Sequence, residues 1–162
     1  MPLHPYELMF AKIWANGLVV VFAAMASLFL VVKGALDVPV TGSVFLFLLG
    51  LATYLFSVTA LGIMLATLVR SMPQFGLLAF PVFIVMNLLS GGQTPLESMP
   101  VAIQKLMQFV PSTHFVSFSQ AILFRDASFS MVWPDLLKML AIGLAYTIFT
   151  LSRFRKMLAA VQ

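Results

Sequence analysis

This sequence predicts an all-α protein that crosses a lipid bilayer several times. Three observations carry that reading. Hydrophobic residues make up 62% of the 162-residue chain and charged residues only 9%, with a mean hydropathy of +1.07. A soluble domain is about 45–50% apolar and about 25% charged. Long apolar runs recur along the chain, several near the ~20 residues that a bilayer-spanning helix needs. The basic residues stand mostly at the ends of those runs rather than inside them. A water-soluble chain of this length could not hide so much apolar surface, whereas lipid removes the need to hide it.

Met1 to Trp14 does not read as a signal peptide. Pro2, Pro5, Glu7 and Lys12 precede any long apolar run, and no small-residue cleavage site follows a short apolar core. Pro5 can start a helix with Glu7 in its first turn, and Tyr6, Met9, Phe10 and Ile13 then form an apolar stripe. Such a helix lies on the cytoplasmic face, where it either anchors the first span or docks a soluble partner. The residues alone favour anchoring.

The expected spans are 13–32, 44–69, 75–90 and 134–151. The first holds no charge and ends at Lys33, and the second, long enough to span with tilt, ends at Arg70. The third has a short apolar core, so Pro73 and Ser90 fall near its ends, and Pro81 inside it should kink it. The fourth runs from Pro134 to Leu151 and meets Arg153, Arg155 and Lys156. The segment from Gly34 to Gly42, with Asp37 and Pro39, reads as a plain external turn.

Between the third and fourth spans the pattern changes. Ser90-Gly91-Gly92-Gln93-Thr94-Pro95 is a helix breaker. From Ser98 to Val110, Met99, Ile103, Leu106, Met107 and Val110 recur at helical spacing, with Glu97, Gln104, Lys105 and Gln108 on the other side. Ser98 is the expected N-cap, with Pro100 in the first turn. Pro111 ends this helix. Ser112 or Thr113 can cap a second, running to Phe124 with Phe115, Phe118 and Ile122 on one stripe. Each piece spans roughly 20 Å at 1.5 Å per residue, short of the ~30 Å hydrocarbon core. The expectation for 96–124 is therefore a re-entrant or interfacial hairpin on the external side, hinged at a proline. Helices lying flat on the surface are the alternative.

Four spans put both termini on one side. With the ends inside, Lys12, Arg70, Arg153, Arg155 and Lys156 are cytoplasmic, against Lys33, Lys105, Arg125 and Lys138 outside. Asp37, Glu97, Asp126 and Asp135 are placed with the outer group. The three basic residues immediately after the last span weigh most under the positive-inside rule. Trp14 and Trp133 fall at span ends, as an aromatic belt expects. Both termini are expected to be cytoplasmic.

The polar residues exclude several functions. No acid, base or histidine lies within the apolar cores, where an ion-coupled pump would place one; Lys138, near the outer end of the last span, can snorkel. No glycine is followed by Lys-Ser or Lys-Thr, so the chain carries no P-loop and any ATP belongs to a partner. Cysteine is absent, which excludes thiol chemistry. His4 and His114 are too few for a metal site and read as interfacial polarity. The net charge of +4 is scattered rather than gathered on a polar face, which argues against nucleic acid. Ser27, Thr53, Ser57, Thr59 and Thr67 read as helix-packing or back-bonding hydroxyls. Gly62 to Ala66 is a small-xxx-small stretch that can bring two helices close. Asn87 and Gln93 can satisfy the backbone of the Gly91-Gly92 break or line a substrate exit. No catalytic residue, cofactor site or metal site is expected.

Three stretches together resemble the C-terminal part of type-2 ABC (ATP-binding cassette) transporter permeases. Met1-Pro2-Leu3-His4-Pro5-Tyr6-Glu7-Leu8-Met9-Phe10-Ala11-Lys12 is similar to the family's cytoplasmic elbow. Leu89-Ser90-Gly91-Gly92-Gln93-Thr94-Pro95-Leu96-Glu97-Ser98-Met99-Pro100 resembles its break before the external hairpin. Phe109-Val110-Pro111-Ser112-Thr113-His114-Phe115 resembles the Pro-centred hinge within that hairpin. The resemblance implies a bacterial inner-membrane permease component that works as one of two paired halves, homo- or heterodimeric, with separate or fused ATPase subunits supplying energy. It implies that Pro5, Tyr6, Glu7, Phe10 and Lys12 form the ATPase-coupling segment, reversing the preference for anchoring. It also implies that Gly91, Gly92, Pro95 and Pro111 shape an external gate. Family permeases usually have six spans, so this chain is expected to lack their N-terminal part. A non-transporting scaffold or assembly protein, or an inactive permease fragment, is the competing expectation, and a channel fits least because the spans offer few polar residues.

Overall fold

The computed structural model describes residues 5–27, 29–30 and 42–159, with side chains for 15, 17–27, 29–30 and 42–153. All regular structure among them is helical: α1 Pro5–Ala26, α2 Val44–Ala66, α3 Met72–Leu89, α4 Val101–Met107, α5 Pro111–Arg125 and α6 Phe129–Ala159, with a 3-10 turn at Leu96–Ser98. The protein is an all-α polytopic membrane protein. Among the described residues, Val44–Ala66, Met72–Leu89 and Phe129–Arg153 are long and apolar enough to cross a membrane. Helix α1 overlaps the expected first span 13–32, and its described apolar part is Gly17–Ala26. Its continuation beyond Leu30 and most of the expected turn from Gly34 to Gly42 lie outside the described residues.

Helix α2 begins at the expected residue because Ser43 caps it, accepting from the Leu46 N–H. It ends at Ala66, three residues before the expected Val69, where Thr67 turns its N–H and hydroxyl back on the last carbonyls. Helix α3 has Ser71 as N-cap and Pro73 in its first turn, where a missing N–H costs nothing. The helix continues through Pro81.

Helix α6 starts five residues earlier than expected, at Phe129 rather than Pro134. Pro134 deprives only the carbonyl of Ser130, in the helix's first turn, so the helix tolerates it there. The short helices also shift. Pro100, not Ser98, occupies the N-cap of α4, and the Ser98 hydroxyl instead donates to the Pro95 carbonyl at 2.7 Å. Val110 is the N-cap of α5 with Pro111 as its first residue, so Ser112 and Thr113 lie inside the helix rather than capping it. Asp126 closes α5 in the left-handed region at φ 47°, and Ala127 N–H returns to the Ala121 carbonyl.

Two cores hold the bundle. Phe47 and Leu51 of α2, Phe118 and Ile122 of α5, and Val132 and Met139 of α6 form the first. Leu61 and Leu65 of α2, with Ala79 and Met86 of α3, form the second. Glycine sets the closeness of the first: Gly50 lies against the ring of Phe118, where a methyl group would collide with it. Gly143 approaches Phe56 and Ser57, at 2.8 Å from its would-be Cβ to the Ser57 Oγ. The Gly62 stretch does not serve this purpose here, since a Cβ on Gly62 would meet nothing within 4 Å. Large apolar side chains elsewhere face outward, among them Phe22, Phe45, Leu77, Phe80 and Ile148. Lipid is the solvent that makes such a surface stable.

Candidate functional site

The hairpin α4–α5 is the part of the molecule that ordinary span packing does not explain. Pairings across the bundle fix its depth. Ser57 of α2 donates to the Met139 carbonyl of α6 at 2.6 Å, while Phe47 and Leu51 pack in the same core as Val132, so α2 and α6 run in the same direction. Helix α5 runs against both: Gly42 meets Ile122, Gly50 meets Phe118, and Tyr54 meets Ser112. The segment between α3 and α6 therefore leaves and returns at one end of the bundle without crossing it.

Its turn lies deep. Ser112 bonds Tyr54, the eleventh of 23 residues in α2, about 15 Å from that helix's start. Tyr146, about 25 Å along α6 from Phe129, donates its hydroxyl to the Phe109 carbonyl at 3.1 Å. Val110 packs on the second core beside Tyr146. The turn of the hairpin thus packs partway along α2 and α6 rather than at the end of the bundle. The hairpin's buried face holds Met99 and Met107 on the α4 side and Phe118 and Ile122 on the α5 side, whereas Leu106, expected on the apolar stripe, is 64% exposed.

Polar contacts clamp α5 in place. His114 is 6% exposed, and its Nε2 lies 2.8 Å from the Gln108 carbonyl while its Nδ1 lies 3.3 Å from Asp135 Oδ1. Asp135 also accepts from the Ser117 hydroxyl at 3.2 Å and lies 3.6 Å from Lys138 Nζ. This corrects one expectation: His114 is a buried link rather than an interfacial polar residue, and its partner Asp135 lies in α6, inside the expected span 134–151. Phe115 stacks on Tyr54 at 4.4 Å between centroids, and the hydroxyls of Tyr54 and Ser112 share a hydrogen bond.

The predicted gate residues divide. Gly91 requires its glycine, since its φ of 94° is left-handed. Gly92 faces Val116 of α5 at 3.7 Å from its would-be Cβ. Pro95 N-caps the 3-10 turn, and Pro111 starts α5, buried at the hairpin's deep turn. Gly92 and Pro111 thus touch or form the hairpin's seated part, and Pro95 is exposed at its rim. Asn87 and Gln93 bond each other at 2.9 Å instead of the backbone, while the Ser90 hydroxyl covers the Asn87 carbonyl. Tyr54, Met86, Asn87, Ser90, Ser112 and Phe115 line a cleft of about 240 Å³ between α2, α3 and α5. The predicted coupling residues Pro5, Tyr6, Glu7, Phe10 and Lys12 are on the first turns of α1, and their side chains lie outside the described residues. Among the described residues, no group of three or more His, Asp or Glu side chains could hold a metal.

The sequence profile of the ABC-2 type transporter family matches residues 1–124. The inner membrane transport permease YhhJ of Escherichia coli (strain K12) is 53% identical over 156 residues, covering 96% of this chain and 42% of that protein. YhhJ of Shigella flexneri is similar to the same extent. The probable multidrug ABC transporter permease YbhR of Escherichia coli (strain K12) is 32% identical over 108 residues, covering 67% of this chain and 29% of that protein. The chain thus spans less than half the length of these curated relatives. No solved structure matches it.

Proposed function

The chain belongs to the ABC-2 type transporter family, and from that membership we propose that it is a membrane-spanning part of the permease of an ATP-driven exporter. A separate ATPase subunit supplies the energy, and a second permease subunit completes the pathway. It resides in the bacterial inner membrane with both termini in the cytoplasm. The hairpin packed partway along α2 and α6 is the observation that carries this reading. A half-depth element that returns to the end it left suits a movable stopper, because it blocks a path without having to cross it. The names of YhhJ, a transport permease, and YbhR, a multidrug ABC permease, support the same assignment.

In this reading α2, α3 and α6 form the wall, the hairpin 96–124 closes the external end, and the segment 1–12 receives the ATPase. ATP-driven closure of the partner would push on Pro5 to Lys12 and bias a two-state arrangement of the spans through α1, which packs on α2. The chain's own residues supply no chemistry, only two arrangements of packed helices.

Affinity purification of the chain from native membranes tests the proposal. Co-purification of a P-loop ATPase, reduced at least tenfold by Glu7→Lys, is the expected outcome. Complexes that never contain an ATPase would overturn it and favour a scaffold or assembly role.

A further inference from the structure

The cleft between α2, α3 and α5 has a composition that a mere packing gap would not need. We propose that it binds a neutral amphipathic molecule carrying a planar ring and a carbonyl-type hydrogen-bond acceptor.

Its wall sets the ring. Tyr54 and Phe115 lie with their rings 4.4 Å apart and only 13° from parallel, and both line the cleft, so a further flat ring can extend the stack. Its size limits the occupant. About 240 Å³ falls below the ~300–1,000 Å³ of a drug-sized pocket, so it takes a molecule of one or two rings rather than a large one. Its charge excludes ions. No acidic, basic or histidine side chain lines it, so a charged group there would lie unpaired.

Its donors select an acceptor. The Tyr54 and Ser112 hydroxyls share one hydrogen bond at 3.3 Å, which uses one of their two protons and leaves the other free. Both hydroxyls line the cleft, so whichever keeps the free proton can offer it there. Asn87, an exposed residue, accepts from Gln93 through its side-chain oxygen, which leaves its amide N–H groups to donate at the mouth of the cleft. An occupant with a carbonyl oxygen satisfies groups that an alkyl chain would leave unmet. It would also touch α3 and α5 together, and so couple the hairpin to a span it otherwise meets only lightly. The role of this cleft as a substrate site rests on the transport reading, whereas its occupancy is read without any transport.

Benzophenone is the probe, being a neutral pair of rings joined by a carbonyl that bonds to nearby C–H groups, methionine above all, when irradiated. The full chain in phosphatidylcholine vesicles is irradiated with increasing probe and mapped by peptide mass spectrometry. Met86 lines the cleft and is 5% exposed, while Met72 at the far end of the same helix is 84% exposed. The proposal expects saturable label at Met86, several-fold above Met72. Val116→Trp, which fills the cleft, should lower it at least fivefold without changing Met72. Ser90→Leu narrows the cleft from the α3 side if Val116→Trp fails to fold. Tyr54→Phe with Ser112→Ala should weaken the probe several-fold. Label that follows exposure, with Met72 above Met86 and no saturation, overturns the site. Saturable label with no ATPase ever found would retain the site and remove only its role as a substrate site.

Discussion

His114 bridges two elements with one ring. Its loss removes the side-chain partner of the Gln108 carbonyl and one partner of the Asp135 carboxylate, which keeps Ser117 and Lys138, and a lost intramolecular hydrogen bond costs about 0.5–1.5 kcal/mol. His114→Leu should therefore lower the unfolding midpoint of the purified chain in detergent by that amount. His114→Gln, which keeps a donor, should recover part of it. An unchanged midpoint in the leucine variant would show that the clamp contributes nothing. The sequence reading missed this link for a physical reason. His114 and Asp135 are 21 positions apart, and periodicity within each helix says nothing about the register between them. A histidine two positions after Ser112 in a hinge, facing an acid near the start of the next span, was the available signal. Gly50 is a second decisive residue. Gly50→Val would drive a branched side chain into Phe118, and overpacking of this kind costs about 1–3 kcal/mol. Circular dichroism melts should show the loss, with Gly62→Val as the control that leaves the midpoint nearly unchanged, since nothing lies near Gly62.

The elements were legible where apolar length and caps agree. Helix α2 began at the expected Val44, and the break at Ser90 to Pro95 ended α3 as expected. Boundaries slipped where proline has two possible roles. Pro100 and Pro134 were each read as lying in a first turn or at a start, but one caps a helix from outside and the other lies within it. What joins these helices was less visible. The Ser57 hydroxyl both back-bonds to Thr53 and reaches the Met139 carbonyl, and only the first bond is implied by spacing along one helix. Hydrogen bonds between membrane helices average about 0.6 kcal/mol. Ser57→Ala should thus lower stability less than Gly50→Val does, and a comparison of the two melts reads that order directly. The reverse order would mean that the polar contact of α2 with α6 contributes more than its close packing on Phe118 of α5.

For the whole molecule, the parallel run of α2 and α6 makes a sidedness prediction. Single cysteines at Gln93 and Asp126, in a chain that has none of its own, should react with an impermeant maleimide from the same side of the membrane. A cysteine at Ser71 should react from the other side, and one at Phe118 from neither. Reaction of Gln93 and Asp126 from opposite sides would mean that the hairpin crosses. The three described spans were accessible from apolar length, while the depth of the hairpin was not, because half-length helices fit the surface as well as the interior until their neighbours are known. The depth has a consequence for how the protein is made. At seven and 15 residues, α4 and α5 are too short to enter a bilayer as spans of their own, and one wall of the slot that receives α5 is α6, which is synthesised afterwards. The hairpin must wait on the membrane surface until its last neighbour arrives, and biogenesis runs out of chain order. A nascent chain stopped at Ser128 should accordingly leave Phe118→Cys open to maleimide, and release of the complete chain should close it.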